Sequence, residues 1–399
     1  MNNSNLDGAN AKPMRVLEIN LDAVAANLAT MRARTSGAKV MGVVKADGYG
    51  HGMIEVARRL EAESVDFIGV ADIAEALAIR AAGVSTPILA WLHAPTETFE
   101  AAIEADIDLG IATTAHLEAI ASAAAELGKT ARVHLKVDTG LSRNGAHLRD
   151  WPEFVADAHE LALLGRIQVV AVFSHLSSTS TDSDLLQIER FNAAVELARA
   201  AELHFEIRHL VASDGALKYP QAHFEMVRVG LALYGLSPFT DRRAEEFGLV
   251  PVMTAKSFVV QVKRAEAGEG VSYGYLHRTA EPTNLALVPV GYAEGLPRSA
   301  SGKAVVQVAG QPHTIQSRIA MDQFVIDVGQ QNIKVGDEVV LFGDPSKGHL
   351  SVDALAEATD TINYEIVTRM GGRFVREYFG SVTAGAAHAA TRFEPGVAL

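Results

Sequence analysis

The sequence predicts an α/β protein in which a (β/α)8 TIM-type barrel is followed by a C-terminal, mostly β domain. From about residue 39 to residue 235, short apolar runs alternate with segments of helical composition. After Pro251, strand-like runs follow one another almost without helical segments. Strands that alternate with helices are typical of parallel sheets, and eight of them in about 200 residues favour a closed barrel over a doubly wound open sheet.

Each predicted barrel strand is a short, mainly apolar run, and the eight runs are residues 39–45, 67–71, 87–92, 108–112, 131–138, 167–175, 206–213 and 225–235. Segments rich in Ala, Glu, Leu and Arg lie between them, as at residues 51–62, 73–82, 115–127 and 185–202. The strands predicted for the second domain are residues 257–263, 284–292, 303–308, 313–319, 323–328 and 338–342. One helix is predicted there, at residues 351–358.

We therefore expect four segments in the 399 residues: a flexible N-terminal tail (1–14), the barrel (15–248), the C-terminal β domain (249–385) and a loosely ordered tail (386–399). The first dozen residues are polar and lack the apolar stretch of a signal peptide. No apolar run approaches the roughly 20 residues that span a bilayer. These features predict a cytoplasmic protein that does not associate with membranes.

Composition excludes several classes of function. The formal net charge of −13 argues against nucleic acid or another polyanion as a partner. The absence of cysteine excludes disulfides, thiolate nucleophiles and cysteine metal sites, and we expect no metal centre. A zwitterionic small molecule such as an amino acid is compatible with this charge.

Lys45 is the most informative residue of the chain. It follows the apolar run 40–44 and precedes a turn that contains Asp47 and Gly48. At such a junction the stem of the lysine is buried and its amine faces a loop. Desolvation favours the neutral amine, which is the form that attacks an aldehyde. The position predicts a reactive lysine.

Further polar residues fall at or near the predicted carboxyl ends of barrel strands, where barrel enzymes carry their reactive groups. Phosphate groups often bind after the seventh and eighth strands of such barrels. The residues in question are Lys136, Asp138, His175, Ser213, Arg228 and Gly230. Their joint placement predicts an active site at one rim of the barrel.

Several well-separated strings closely resemble the alanine racemase family. They are residues 18–23 (EINLDA), 44–52 (VKADGYGHG), 135–145 (LKVDTGLSRNG), 228–238 (RVGLALYGLSP), 271–274 (VSYG), 290–298 (VGYAEGLPR), 321–323 (MDQ) and 361–369 (TINYEIVTR). The resemblance implies a barrel with a C-terminal β domain, the cofactor pyridoxal 5'-phosphate, and a homodimer whose active sites take residues from both subunits. It further implies interconversion of L-alanine and D-alanine, which supplies D-alanine for peptidoglycan.

By the same resemblance, Lys45 carries the cofactor as an aldimine and acts as one base, and Tyr273 of the partner subunit acts as the opposing base. Racemisation removes a proton from one face of the α-carbon and returns one to the other face. Two bases on opposite faces meet this need, whereas a single base tends to return the proton where it came from.

The resemblance also implies the roles of the remaining site residues. Arg228 faces the pyridine nitrogen, and His175 links Arg228 to Tyr273. Arg143 contacts the phenolic oxygen and the substrate carboxylate, and Lys136 matches a lysine that is carbamylated in many family members. The phosphate is held by Tyr49, Ser213, Gly230, Leu231 and Tyr364, and the substrate entrance and carboxylate pocket involve Tyr292, Arg298, Met321 and Asp322.

Three alternatives remain open at this stage. A broad-specificity or serine-preferring racemase would share all of these strings. A related decarboxylase of basic amino acids would place a carboxylate near the pyridine nitrogen and would use a cysteine, whereas this chain has Arg228 and no cysteine. A non-enzymatic cofactor-binding barrel would lack the second domain that carries Tyr273.

Overall fold

The computed structural model describes residues 13–35 and 37–380. The chain forms two compact units, which we call the barrel unit (Leu21–Val250) and the second unit (Met1–Asn20 together with Pro251–Leu399). Almost all of the predicted N-terminal tail and the whole predicted C-terminal tail lie outside the described residues.

Eight parallel strands close the barrel, as the sequence predicts. Each strand pairs with the next, and the eighth returns to the first with Met226 opposite Lys39 and Val229 opposite Gly42. In chain order the strands are Lys39–Val43, Phe67–Val70, Ile88–Ala90, Ile107–Ile111, Ala131–Asp138, Ile167–Phe173, Ile207–His209 and Met226–Val229. The two-residue strand Ala146–His147 adds to the end of the fifth strand.

Helices of the barrel unit pack their apolar faces on the sheet. They are Leu21–Arg34, Met53–Ala62, Ile73–Ala81, Glu100–Glu104, Thr114–Leu127, Trp151–Leu163, Thr181–Ala200 and Ser213–Lys218, with 3-10 turns at Pro220–Ala222, Leu231–Tyr234 and Ala244–Phe247. An apolar cluster fills part of the barrel, with the half-buried Trp91 packed against it, and consists of Met41, Phe67, Leu89, Val170, Ala171, Ile207 and Met226. This core holds the strand ends in fixed positions.

The second unit is built mainly from three sheets. The largest contains, in spatial order, Gln311–Thr314, Val305–Val308, Glu338–Phe342, Met253–Phe258, Arg15–Asn20 and Val375–Phe379. A three-stranded antiparallel sheet contains Gln261–Ala265, Thr283–Val288 and Phe324–Gly329, and Gly270–Val271 pairs with His277–Arg278. The helices are Val352–Ala358 and Asn363–Arg369, with 3-10 turns at Tyr273–Tyr275, Tyr292–Glu294, Arg298–Ala300 and Pro345–Lys347.

The predicted start of the barrel at residue 15 is wrong. The strand Arg15–Asn20 pairs with Met253–Phe258 and with Val375–Phe379, so it belongs to the second unit. Leu17 and Ile19 on one face of this strand are fully buried. Alternation in the sequence indicates a half-buried strand, but it does not identify a partner strand more than 200 residues away.

Other elements also differ from the sequence-based expectation: the predicted strand 257–263 is divided between Met253–Phe258 and Gln261–Ala265, and the strand predicted at 313–319 ends at Thr314. The predicted eighth strand is too long, because Leu231–Tyr234 forms a 3-10 turn after Met226–Val229. A short buried apolar run has no periodicity that separates a strand from a helical turn. The helix Asn363–Arg369 was not predicted, whereas Val352–Ala358 confirms the predicted helix. Within residues 13–35 and 37–380, no helix has the length and apolar character that crossing a membrane requires.

We predict that Leu17→Ala destabilises the second unit selectively. The side chain is fully buried, and truncation of such a leucine costs about 2–5 kcal/mol. Hydrogen–deuterium exchange should therefore rise by about 30-fold or more in peptides covering 253–258 and 375–379.

Glu18→Ala is the matched control on the same strand. The Glu18 carboxylate lies 3.0 Å from Nζ of Lys256 near the surface, and such pairs contribute about 0.2–1 kcal/mol. Exchange in the barrel strand Ile107–Ile111 should stay unchanged in both variants. Equal acceleration there in Leu17→Ala would contradict the assignment of the N-terminal strand to the second unit.

Candidate active site

Lys45 lies immediately after the first barrel strand, at the start of a tight turn that ends at Tyr49. The strand ends at Val43, and Ala46, Asp47 and Tyr49 have positive φ angles of 54°, 53° and 54°. For residues other than glycine this conformation costs roughly 1–2 kcal/mol each. The turn is thus strained where it presents the lysine.

Glu75 stabilises this strained turn. Its carboxylate accepts hydrogen bonds from the backbone N–H of Ala46, at 2.6 Å, and from that of Ala71, at 2.9 Å. The Asp47 side chain accepts from the backbone N–H of Met53 at 2.9 Å. The backbone on both sides of the turn is therefore held by carboxylates.

Four cationic side chains converge at the carboxyl end of the barrel. Burial and the nearby positive charges of Arg143 and Arg228 lower the pKa of Lys45, and the Glu75 carboxylate offsets this in part. Burial, Arg228 and Arg143 lower the pKa of Lys136 to about 7. Both lysines therefore gain neutral amine character, and the excess of positive charge favours an anionic ligand.

Arg228 is the most deeply buried of these cations. Nη1 donates to Nδ1 of His209 at 2.9 Å, and Nη2 lies 2.9 Å from Nδ1 of His175. Nη2 also lies 2.8 Å from the carbonyl oxygens of Ser174 and Leu210, so its two hydrogens are shared among three acceptors. Burial, together with the charges of Arg228 and Arg143, lowers the pKa of His175 far below its ordinary value, so this imidazole is neutral and accepts from Arg228.

Three of the residues predicted to hold the phosphate, Ser213, Gly230 and Leu231, lie together after the seventh and eighth strands. Ser213 Oγ accepts from the backbone N–H of Gly230 at 3.2 Å and from that of Ala232 at 3.3 Å. A Cβ on residue 230 would collide with the Tyr49 hydroxyl, so only glycine allows this approach. Leu231 begins the 3-10 turn that follows. Hydroxyl and backbone N–H groups thus form a cradle of the kind that accepts a phosphate.

These features of the barrel unit fit pyridoxal 5'-phosphate. The cradle around Gly230 suits its phosphate, Lys45 suits its aldehyde, and the buried guanidinium of Arg228 suits its ring nitrogen. The cluster of cations suits the negative charge of its phosphate and phenolate groups.

The second unit presents Tyr273 on an exposed turn. Tyr273 is 71% exposed and lies in the 3-10 turn Tyr273–Tyr275, between two short paired strands. Ser272 anchors the turn, since its hydroxyl donates to the carbonyl oxygen of Arg318 at 3.0 Å. Tyr273 also lines an open pocket with Ala320 and Gln323.

Tyr292 and Met321 are brought together in the second unit by backbone hydrogen bonds. The backbone N–H of Tyr292 donates to the carbonyl oxygen of Ala320 at 3.2 Å, and that of Ala293 donates to the carbonyl oxygen of Met321 at 3.0 Å. A Cβ on Gly291 would collide with the carbonyl groups of residues 320 and 321, so glycine permits this contact. Tyr292 and Met321 are both exposed.

The buried carboxylate of Glu294 organises these two loops. It accepts from the N–H of Gly291 at 2.8 Å and forms ion pairs with Arg15 and Arg373. Arg373 in turn donates to the Asp322 carboxylate at 2.7 Å. Asp322, for which the family resemblance implies a place in the substrate pocket, is therefore engaged with Arg373.

The remaining predicted residues lie apart from the barrel cluster along the chain. Arg298 begins an exposed 3-10 turn, and Tyr364 lies on the helix Asn363–Arg369 of the second unit. Their roles stay predictions. Sequence reasoning missed Glu75, His209, Glu294 and Arg373. A signal existed for His209, because it is a histidine within a predicted buried strand, whereas the partners of the other three residues become visible only in the fold.

Comparisons with known proteins identify the family. Residues 19–238 match the family model "Alanine racemase, N-terminal domain", and residues 252–378 match "Alanine racemase, C-terminal domain". The chain is 45% identical over 367 residues to the alanine racemase of Thermobifida fusca, covering 91% of this chain and 98% of that protein. It is 46% identical over 364 residues to that of Frankia casuarinae, covering 90% and 95%.

Solved structures agree with these matches. The alanine racemase from D-cycloserine-producing Streptomyces lavendulae superposes with a TM-score of 0.92 at 41% identity, covering 94% of this chain and 99% of that chain. The alanine racemase of Streptomyces coelicolor A3(2) superposes with a TM-score of 0.90 at 40% identity, covering 92% of this chain and 98% of that chain. Residues 19–238 and 252–378 match the two alanine racemase domain models, and the similarity to alanine racemases extends over nearly the full length of the chain. The chain therefore belongs to the alanine racemase family of pyridoxal phosphate-dependent isomerases.

Proposed function

We propose that the protein interconverts L-alanine and D-alanine, with Lys45 and Tyr273 as bases on opposite faces of the α-carbon. The observation that carries this proposal is the barrel rim, where Lys45 with a lowered pKa lies near the buried guanidinium of Arg228. Pyridoxal phosphate, when bound, withdraws electrons from an attached amino acid and makes its α-hydrogen acidic. The protein residues then decide which proton moves and where it goes.

The neutral amine of Lys45 accepts a proton from one face of the α-carbon. Burial and neighbouring cations favour this neutral form. The Tyr273 hydroxyl delivers a proton to the other face, and the reverse reaction exchanges the two roles. By resemblance to the family, Lys45 removes the α-proton of D-alanine and Tyr273 removes that of L-alanine.

Arg228 limits how far electrons are drawn into the cofactor ring. A guanidinium donates hydrogen bonds but does not readily release a proton, so Arg228 would leave a ring nitrogen held beside it unprotonated. It would thereby weaken the electron withdrawal that the cofactor supplies. Arg228 therefore favours return of the proton over side reactions such as transamination, and it does not provide the carboxylate of a decarboxylase.

A homodimer with shared active sites is part of the proposal. Tyr273 is 71% exposed on its own chain, and Tyr275 and Leu276 beside it are exposed as well. An exposed apolar turn that carries a required base is suited to enter the site of a second copy. A cytoplasmic location stays a prediction.

Subunit mixing tests the shared site. Lys45→Ala and Tyr273→Ala should each be inactive, and a mixture should regain about a quarter of wild-type activity. The reason is statistical: half of the dimers are mixed after exchange, and each mixed dimer has one intact site of two. Lys45→Ala mixed with the Lys45→Ala/Tyr273→Ala double variant is the matched control and should stay inactive. Lack of recovery after verified subunit exchange would place both bases in one chain.

Deuterium exchange tests the two bases. In Tyr273→Phe the ring is kept but the acid–base oxygen is lost, while Lys45 still reaches its own face. In deuterated water this variant should exchange the α-hydrogen of D-alanine at least about tenfold faster than it racemises, and it should barely exchange L-alanine. Proton NMR of the α-hydrogen follows both reactions. Equal exchange of both enantiomers would refute the two-base assignment.

We also propose that Lys136 is carbamylated. The neutral amine attacks carbon dioxide and releases one proton, which turns the neutral side chain into an anion beside Arg143 and Arg228. With a pKa of about 7, the free amine is about one-tenth neutral at pH 6 and about nine-tenths neutral at pH 8. A carbon-13 carbamate signal from labelled bicarbonate should therefore grow over this range and vanish in Lys136→Gln. Absence of a Lys136-dependent signal at pH 8 under excess bicarbonate would contradict the modification.

A further inference from the structure

A column of polar side chains crosses the barrel interior from its rim to the opposite face. Nη1 of Arg228 lies 2.9 Å from Nδ1 of His209, and Nε2 of His209 lies 2.9 Å from Nδ1 of His134. Nε2 of His134 lies 3.0 Å from the Asp108 carboxylate, which Arg132 contacts at 2.7 and 3.1 Å. His134 and His209 have no exposed surface, and Asp108 has almost none.

Strand periodicity explains how the column arises. Arg132, His134 and Lys136 alternate along the fifth strand and so share one face. Asp108 lies near the start of the neighbouring fourth strand, where Leu109 pairs with Val133. Below Arg228 the column therefore continues in the order His209, His134, Asp108 and Arg132.

Aromatic rings enclose the two histidines. The ring of Phe173 stacks on His209 with centroids 4.6 Å apart and an interplanar angle of 11°. Phe67 meets His134 edge to face at 6.0 Å. These contacts restrict rotation of both imidazoles and hold them in an apolar environment, where hydrogen bonds are strong and mismatched donors are costly.

All hydrogen bonds of the column from Arg228 to Asp108 run in the same direction: each group donates to the next one, and the last acceptor is the Asp108 carboxylate. A guanidinium only donates, so Nδ1 of His209 accepts and its hydrogen lies on Nε2. His134 then accepts at Nδ1 and donates from Nε2 to the carboxylate. Burial alone would raise the pKa of Asp108, but hydrogen bonds and charges from His134 and Arg132 lower it, so the carboxylate is ionised and only accepts.

We propose that Asp108 and His134 are positioning residues that fix the tautomer of His209 and thereby keep Arg228 in its donating orientation. Without the carboxylate at the far end, His209 can carry its hydrogen on Nδ1 and present it to the guanidinium. Two donors then face each other, and Arg228 moves. The tautomer of His209 follows from the column itself, whereas the link from Arg228 to reaction specificity rests on the proposed function.

Two substitutions of His134 test the column. Glutamine can accept from His209 with its oxygen and donate to Asp108 with its nitrogen, so His134→Gln keeps the direction, whereas His134→Leu removes the acceptor. In the holoenzyme labelled with [15N]histidine, nitrogen NMR should show hydrogen only on Nε2 of His209 in the wild type and in His134→Gln. His134→Leu should add a second tautomer. A His209→Asn spectrum assigns the signals.

Kinetics provide the second readout. His134→Leu should lower kcat about tenfold with KM changed by less than about twofold, and it should raise the number of transamination events per racemisation. His134→Gln should restore kcat to within about twofold of wild type. An unchanged His209 tautomer in His134→Leu would overturn the column. A changed tautomer with unchanged kinetics would overturn its link to Arg228, while a wild type without racemase activity would refute only the proposed function.

Asp108→Asn tests the far end, with Asp66→Asn as its matched control. Asp66 also lies at the start of a barrel strand, but it accepts from the backbone N–H of Val40 at 2.9 Å and is not part of the column. Only Asp108→Asn should add the second His209 tautomer. The same change in Asp66→Asn would overturn the specific role of Asp108. If Asp108→Asn fails to fold, the His134 pair decides.

Discussion

The buried guanidinium of Arg228 is the group on which the organisation of the barrel site depends. A cation that cannot readily lose its proton must be matched by acceptors when it is removed from water. Here the acceptors are two neutral imidazoles, those of His175 and His209, and two backbone carbonyls. None of these carries negative charge, so the positive potential persists at the rim. Burial lowers the pKa of Lys45 and of Lys136, and the positive charges of Arg143 and Arg228 lower both further. The same positive charge favours an anionic cofactor.

The backbone is strained where the lysine is presented. Four consecutive residues of the Lys45 turn have positive φ angles, namely Ala46, Asp47, Gly48 and Tyr49. Only one of them is a glycine. The strain is offset by Glu75, whose carboxylate binds the backbone of Ala46. Strain that is held by surrounding contacts is common at functional sites, because it fixes one side-chain direction. The same carboxylate also moderates the loss of positive charge on Lys45.

The site residues of the second unit are held in place by other contacts than those of the barrel unit. Its catalytic candidate Tyr273 is exposed, while the loops that carry Tyr292 and Met321 are joined by backbone hydrogen bonds and by the buried Glu294 carboxylate. Arg15, from the N-terminal strand, pairs with this carboxylate. The first strand of the chain therefore supports both the sheet and the loops of the second unit, which gives a physical reason for its place there.

The sequence by itself determined the fold class, the number of barrel strands and the residues that meet at the barrel rim. It could do so because strand and helix periodicities are local, and because the carboxyl ends of parallel barrel strands share one edge. Only the tertiary structure decided the partner of Arg15–Asn20, the end of the eighth strand and the polar column that begins at Arg228. Those features depend on contacts between residues that are far apart in the chain. Hydrophobic periodicity is a local property, so a single sequence does not show which distant residues will meet.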